Sequence, residues 1–136
     1  MKRYIVRSIT AFIAALCLLT AGFTAGAAGQ PRYIGIARLT PELIISSSGR
    51  SNCTATVKLE RGYTADVTMK LEYSIDKDTW YQETSWSTSG SGTIDISKTY
   101  FVASGYYYRV AVTVNVYNNN GQLVENPTKY SPTVKY

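Results

Sequence analysis

The feature that most constrains the fold is a strict alternation of apolar and polar residues that recurs along the chain. Its longest stretch covers residues 106–117, in which every second residue from Tyr106 to Val116 is aromatic or aliphatic. Successive side chains of a β-strand point to opposite faces of the sheet, so this stretch predicts a strand with one buried face. No segment after residue 27 shows a sustained helical period. The sequence therefore predicts an all-β fold.

Further segments carry strand patterns, and turn signals separate them. Pro41, Pro127 and Pro132 place the first and last strands at sheet edges or interrupt them, because proline cannot donate to a ladder. The serine-rich segment 87–92 is predicted to be a loop. Seven strands in about 100 residues indicate an antiparallel, immunoglobulin-like β-sandwich. The predicted strands are residues 39–46, 51–60, 65–75, 79–87, 92–98, 105–117 and 122–135.

The first 27 residues have the three-part order of a secretory signal peptide. Lys2, Arg3 and Arg7 precede an apolar stretch at residues 9–23, and small residues follow at 25–27. The alternative is an uncleaved membrane anchor, which needs roughly 20 apolar residues. Residues 9–28 reach that length only if glycine and threonine are counted, so we expect cleavage and a secreted protein.

The predicted domain organisation follows from that signal. Residues 1–27 are the signal peptide, residues 28–37 a flexible leader, and residues 38–136 the β-sandwich, with no membrane span after residue 27. The whole chain carries 14 Lys and Arg against 9 Asp and Glu, a net charge of +5. Loss of the three basic residues of the signal leaves 11 against 9, or +2. The remaining cations are scattered, whereas nucleic-acid binding requires clusters, so no nucleic-acid partner is expected.

The absence of histidine argues against catalysis. Histidine is the commonest general base and metal ligand, and it is the usual activator of a serine or cysteine nucleophile. Two cysteines cannot form a four-cysteine zinc site. Asp76 and Asp78 lie close together, but this spacing is typical of a solvated turn. The sequence predicts a non-enzymatic protein with no cofactor and no metal site.

Cys53 is the one cysteine that remains after the signal. It alternates with Ala55, Val57 and Leu59, which favours a buried thiol that packs as a small apolar residue. An unpaired cysteine in an exported protein can also form a disulfide between two chains. Both interpretations stay open at the level of sequence.

Trp80 and Trp86 are the candidate binding residues. Exposed aromatic rings can stack on sugar rings or on a partner protein, although aromatic residues are also simply favoured in strands. The two tryptophans are six positions apart, and this shared parity predicts that they lie on one face. Their ligand would be an unknown protein or glycan.

Residues 106–110, Tyr-Tyr-Tyr-Arg-Val, resemble the sixth strand of immunoglobulin-like and fibronectin type III domains. The resemblance implies that Tyr108 packs at a corner and donates a hydrogen bond to the backbone. It also implies that Cys53 and Val110 occupy the places of the two cysteines of an immunoglobulin domain, so that the disulfide is absent.

A second resemblance, over residues 45–136, is to small secreted proteins of Gram-positive anaerobic bacteria that have no assigned function. The shared features are Cys53, the pair Trp80 and Trp86, the Gly-Tyr-x-Tyr-Arg-Val strand from Gly105, and a closing Tyr130-Ser131 segment. The resemblance implies secretion and a β-sandwich but no activity. We expect a secreted binding or interaction module; the alternative is an assembly protein that joins copies through edge strands or Cys53.

Overall fold

Nine strands form in residues 32–136, the part of the chain that the computed structural model describes. They are β1 (Ile36–Ile45), β2 (Arg50–Leu59), β3 (Thr64–Ser74), β4 (Tyr81–Ser91), β5 (Thr93–Phe101), β6 (Tyr107–Tyr117), β7 (Leu123–Glu125), β8 (Thr128–Tyr130) and β9 (Val134–Lys135). The predicted signal peptide and residues 28–31 of the predicted leader lie outside the described residues. The leader was predicted to extend to residue 37, but β1 already begins at Ile36.

The strands form two antiparallel sheets. One sheet has the order β1-β2-β5, and the other has the order β4-β3-β6, with the short strands β7, β8 and β9 pairing in turn along the far side of β6. The consecutive strands β4 and β5 belong to different sheets, and Gly92 connects them with a positive φ of 66° that favours glycine. The predicted all-β antiparallel sandwich is confirmed.

The core lies between the two sheets and is built by the predicted alternation. Every second residue of β2, β3 and β6 is buried, including Cys53, Val67, Leu71 and Val110. Ile75 was expected to continue the inward row of β3, but the strand ends at Ser74 and Ile75 is 72% exposed. Residues 32–136 contain no helix that is long and apolar enough to cross a membrane.

The serine-rich segment 87–92 is largely strand, so its prediction as a loop was wrong. β4 continues to Ser91 because each residue from Thr84 to Ser91 has a partner in β3, such as Ser87 opposite Thr68 and Gly90 opposite Ala65. Backbone pairing with a central strand outweighs the low strand propensity of serine and glycine. At Gly90 a Cβ atom would lie 3.3 Å from Ile94, so the small residue also suits the packing.

The prolines act as predicted. Pro41 lies in β1, an edge strand, and Pro127 and Pro132 split the last predicted strand into β7, β8 and β9. A proline offers no N–H to a ladder, so each one interrupts pairing or lies where no partner strand is present.

Tyr108 makes the corner contact that the resemblance to immunoglobulin-like strands implied. Its hydroxyl donates a hydrogen bond to the carbonyl of Ala103 at 2.5 Å, and the residue is only 2% exposed. Burial, with a smaller contribution from the charge of Glu83, raises the pKa of Tyr108 to about 12.

Candidate functional site

The structure does not bring Trp80 and Trp86 together. Leu71 of β3 lies opposite Thr84, but the next residue, Glu72, lies opposite Gln82, so Glu83 is an extra residue in β4. Such a β-bulge reverses the alternation of side chains on either side of it. Trp86 therefore packs against the core, whereas Trp80 lies on the outer face of the six-stranded sheet.

Trp80 belongs to a cluster that we call the cation–aromatic stack, formed by Trp80, Arg109 and Tyr130. The guanidinium carbon of Arg109 lies 4.1 Å from the ring centroid of Trp80 and 4.0 Å from that of Tyr130. Its Nε donates to Glu72 Oε1 at 2.8 Å. The side chain of Arg109, near the start of β6, thus joins Trp80, which directly precedes β4, to Tyr130 of β8.

The cation–aromatic stack stabilises the fold and does not form an open binding site, because its polar groups already have partners. The indole N–H of Trp80 donates to the carbonyl of Lys77 at 3.0 Å, and Arg109 already has a carboxylate partner. The side chains of Arg109 and Glu72 are 21% and 17% exposed, so water reaches the pair only partly. A planar guanidinium suits both stacking and carboxylate binding, which a lysine could not do equally well.

The turn between β3 and β4 is held by Ser74 and Asp76. Asp76 Oδ1 accepts from the backbone N–H groups of Asp78 and Thr79, each at 2.9 Å, and from the hydroxyl of Ser74 at 3.0 Å. These bonds, led by that from Thr79, lower the pKa of Asp76. The predicted polar turn is confirmed, and the carboxylate of Asp76 is engaged in it.

Lys77 adopts a left-handed backbone in this turn, with φ of 66°. A side chain in this region costs about 1–2 kcal/mol. Glycine avoids this cost, and the extra chain entropy that glycine loses on folding costs less than that. We expect Lys77→Gly to be more stable than Lys77→Ala by about 1 kcal/mol in chemical denaturation. Both variants lose the contact of the Lys77 ammonium with the Tyr107 ring, at 4.6 Å, so the comparison isolates the backbone. Equal stabilities would contradict the prediction.

Trp86 lines a cleft between the edges of the two sheets, which we call the Trp86 cleft. Its volume is about 270 Å³, and its walls come from β4 and β5. The side chains of Trp86 and Lys98 stand at inward register positions, opposite Met69 and Cys53 respectively. The lining residues are Trp86, Ser87, Thr88, Asp95, Ile96, Ser97 and Lys98.

The polar groups of the Trp86 cleft are fixed by their neighbours. Asp95 Oδ1 accepts from the hydroxyl of Thr56 at 2.9 Å across the β2–β5 ladder. The indole of Trp86 meets the ring of Tyr100 at 6.5 Å and 72°, an edge-to-face contact. Tyr100 in turn donates its hydroxyl to Glu83 Oε1 at 3.3 Å. Trp86, Asp95 and Lys98 thus line one opening, with Lys98 at an inward position of β5 and Asp95 in its outward row.

This combination can bind a small polar ring. An indole offers a flat apolar surface, while the carboxylate accepts and the ammonium donates hydrogen bonds. The volume is just below the range of about 300–1,000 Å³ that is typical of small-molecule sites. The cleft is therefore suited to contact one ring of a ligand and leaves the rest outside.

Cys53 is buried, as one of its two interpretations predicted. Its exposed fraction is 0%, and burial raises the pKa of its thiol. Ser51, also buried, donates its hydroxyl to the carbonyl of Tyr100 at 2.5 Å. A thiol in this place cannot reach a second chain without unfolding of β2, which argues against the intermolecular disulfide.

Comparison with known proteins does not assign this chain to a family. No protein-family model matches the chain. No curated protein matches it either.

Proposed function

We propose that this protein is an exported, non-enzymatic binding module and that the Trp86 cleft holds a saccharide ring. The observation that carries the proposal is that Trp86, Asp95 and Lys98 line one concave opening between the edges of the two sheets. Export is supported by the basic, apolar and small-residue order of residues 1–27. The resemblance to secreted proteins of Gram-positive anaerobes agrees with this location.

The chemistry of a sugar matches the cleft. The C–H groups on one face of a pyranose are apolar and stack on an aromatic ring, while its hydroxyls accept and donate hydrogen bonds at the rim. Asp95 and Lys98 are the charged residues that line the cleft, and they offer these hydroxyls an acceptor and a donor. Glycoside hydrolysis generally needs two carboxyl groups, whereas Asp95 is the single acidic residue among those lining the cleft. Binding without turnover is the function these groups support.

A glycan array, followed by titration with the glycans it selects, tests the proposal. We expect Trp86→Ala to weaken binding by at least about tenfold, since it removes the stacking surface. Trp80→Phe is the matched control, because it alters the other tryptophan on the opposite face and keeps a ring against Arg109. Circular dichroism would verify that both variants remain folded.

Two results would contradict the saccharide site. The first is a wild-type protein that binds no glycan. The second is equal loss of binding in Trp80→Phe and Trp86→Ala, which would show that glycan binding does not depend specifically on the Trp86 cleft.

The alternative, an assembly protein that joins copies to one another, now rests on edge strands alone. The disulfide route through Cys53 has no support, because the thiol is fully buried. An edge strand, in contrast, presents unpaired backbone groups to a neighbour.

A further inference from the structure

The two sheets of residues 33–136 have four edges, and three of them carry features that block pairing. β1 and β5 are the edges of the three-stranded sheet, while β4 and the line of β7, β8 and β9 are the edges of the other. Proteins protect exposed edges with proline, inward-pointing charges, or interruptions, because a bare edge pairs with any strand that meets it. The fourth edge, β4, differs from the rest.

The protected edges can be compared one by one. β1 contains Pro41, with the exposed charged residue Glu42 beside it. The line of β7, β8 and β9 is broken at two prolines into pieces of two and three residues. β5 carries Lys98 at an inward register position, opposite buried Cys53, which is a recognised device against pairing.

β4 has none of these devices over most of its length. Its eleven residues include no proline and no lysine or arginine, and its single charged residue is Glu83 at the bulge near one end. Residues 84–91 are uncharged and regularly paired with β3. Serines occupy the outer row, at Ser85, Ser87, Ser89 and Ser91, and all four are exposed. Their small side chains leave the backbone of this edge accessible.

We propose that β4 pairs antiparallel with β4 of a second copy of the chain, about a two-fold axis at Ser87. This inference deepens the assembly alternative and does not depend on the saccharide site. Ser87 is the middle residue of segment 84–90, so centring the pair there keeps the ladder within the regular part of β4. The six-stranded sheets of the two copies would become one continuous sheet of the dimer.

A second copy fits this edge better than a foreign strand for two reasons. In an antiparallel pair centred on Ser87, Ser87 faces its own counterpart and Ser85 faces Ser89 of the other copy. Residues 84–90 are uncharged, so no like charges meet along this ladder. Moreover, an isologous contact through the one unprotected edge closes at two copies, whereas two open edges would allow a fibre. Because β1, β5 and the line of β7, β8 and β9 are protected against pairing, association through β4 would stop at the dimer.

Sedimentation velocity of the secreted form, over about a hundredfold range of protein concentration, tests the pairing. We expect a monomer–dimer equilibrium that reductant does not change. Ser87→Glu and Ser87→Lys place like charges directly opposite each other at the axis, and each should weaken dimerisation by roughly tenfold or more. An equimolar mixture of the two variants brings opposite charges together and should restore the dimer. Thr99→Glu and Thr99→Lys, on the protected edge β5, are the matched controls and should leave it unchanged.

Several outcomes would overturn the inference. A wild type that stays monomeric throughout, a dimer that the Thr99 variants weaken as much as the Ser87 variants do, or a mixture that does not restore the dimer would each do so. Glycan binding by a strictly monomeric wild type would remove the pairing and leave the saccharide site intact. A dimer that binds no glycan would support the pairing, and because Trp86, Ser87 and Thr88 of the paired edge also line the Trp86 cleft, glycan binding is then measured at concentrations where the wild type is monomeric. No binding by that monomer would remove the saccharide site.

Discussion

Replacing Arg109 by alanine should lower the free energy of unfolding by about 3 kcal/mol. The guanidinium stacks on Trp80 and Tyr130, and each such contact is worth about 0.5–2 kcal/mol depending on desolvation. The substitution also leaves the carboxylate of Glu72, which is 17% exposed, without its partner at 2.8 Å. Urea denaturation of the two proteins at neutral pH would measure the difference.

Arg109→Lys serves as the control for charge. Lysine keeps the positive charge beside Glu72 but lacks the planar group that fits between two rings. We therefore expect Arg109→Lys to recover about 1 kcal/mol of the loss. Hydrogen exchange should also become faster in β8, because Tyr130 joins this short strand to the sheet through Arg109. A loss below about 1 kcal/mol in Arg109→Ala would show that the stack contributes little.

The sandwich could be predicted because alternation and proline act locally. Along β2, β3 and β6, residues that face the core alternate with residues that face outward. This period of two is visible in the sequence without knowledge of the partner strand. Pro127 and Pro132 restrict pairing through their own missing N–H groups. The contact of Tyr108 came from the resemblance to immunoglobulin-like strands, and the carbonyl that it bonds lies only five residues away.

The positions of Trp80 and Trp86 could not be predicted, because they depend on a bulge. The extra residue, Glu83, has no sequence pattern that distinguishes it from an ordinary strand residue, and it reverses which parity faces inward. Local periodicity assigned both tryptophans to one face. Only the register between β3 and β4 reveals that they serve different surfaces.

The remaining site residues depend on partners that are distant in sequence. Arg109 and Glu72 lie 37 positions apart in sequence, and their contact requires the register of β6 against β3. The strand at 87–91 was missed for the same reason, since its serines are ordered by pairing with β3 and not by their own propensity. Asp95 and Lys98 line one cleft with Trp86 only because the chain passes from one sheet to the other at Gly92, between β4 and β5.

Tyr108 should make the stability of the protein fall steeply at alkaline pH. Its pKa of about 12 in the folded state exceeds the value of about 10 expected when unfolded. A raised pKa contributes stability that is fully present below pH 10 and is lost as the pH rises to about 12, because the unfolded chain releases the proton first. Two pH units correspond to about 3 kcal/mol for this side chain, which is 2% exposed.

Tyr108→Phe isolates this effect, because the other tyrosines titrate in both proteins. At neutral pH the variant should be less stable by about 1 kcal/mol, since it lacks the hydrogen bond to the carbonyl of Ala103. Above pH 10 the wild type alone loses the contribution of Tyr108, at about 1.4 kcal/mol per pH unit. The two curves of unfolding free energy against pH should therefore cross near pH 11, and urea denaturation at several pH values would locate the crossing. Parallel curves would contradict the burial of a neutral phenol at this corner, because only a folded state that resists ionisation of Tyr108 gives the two proteins different slopes.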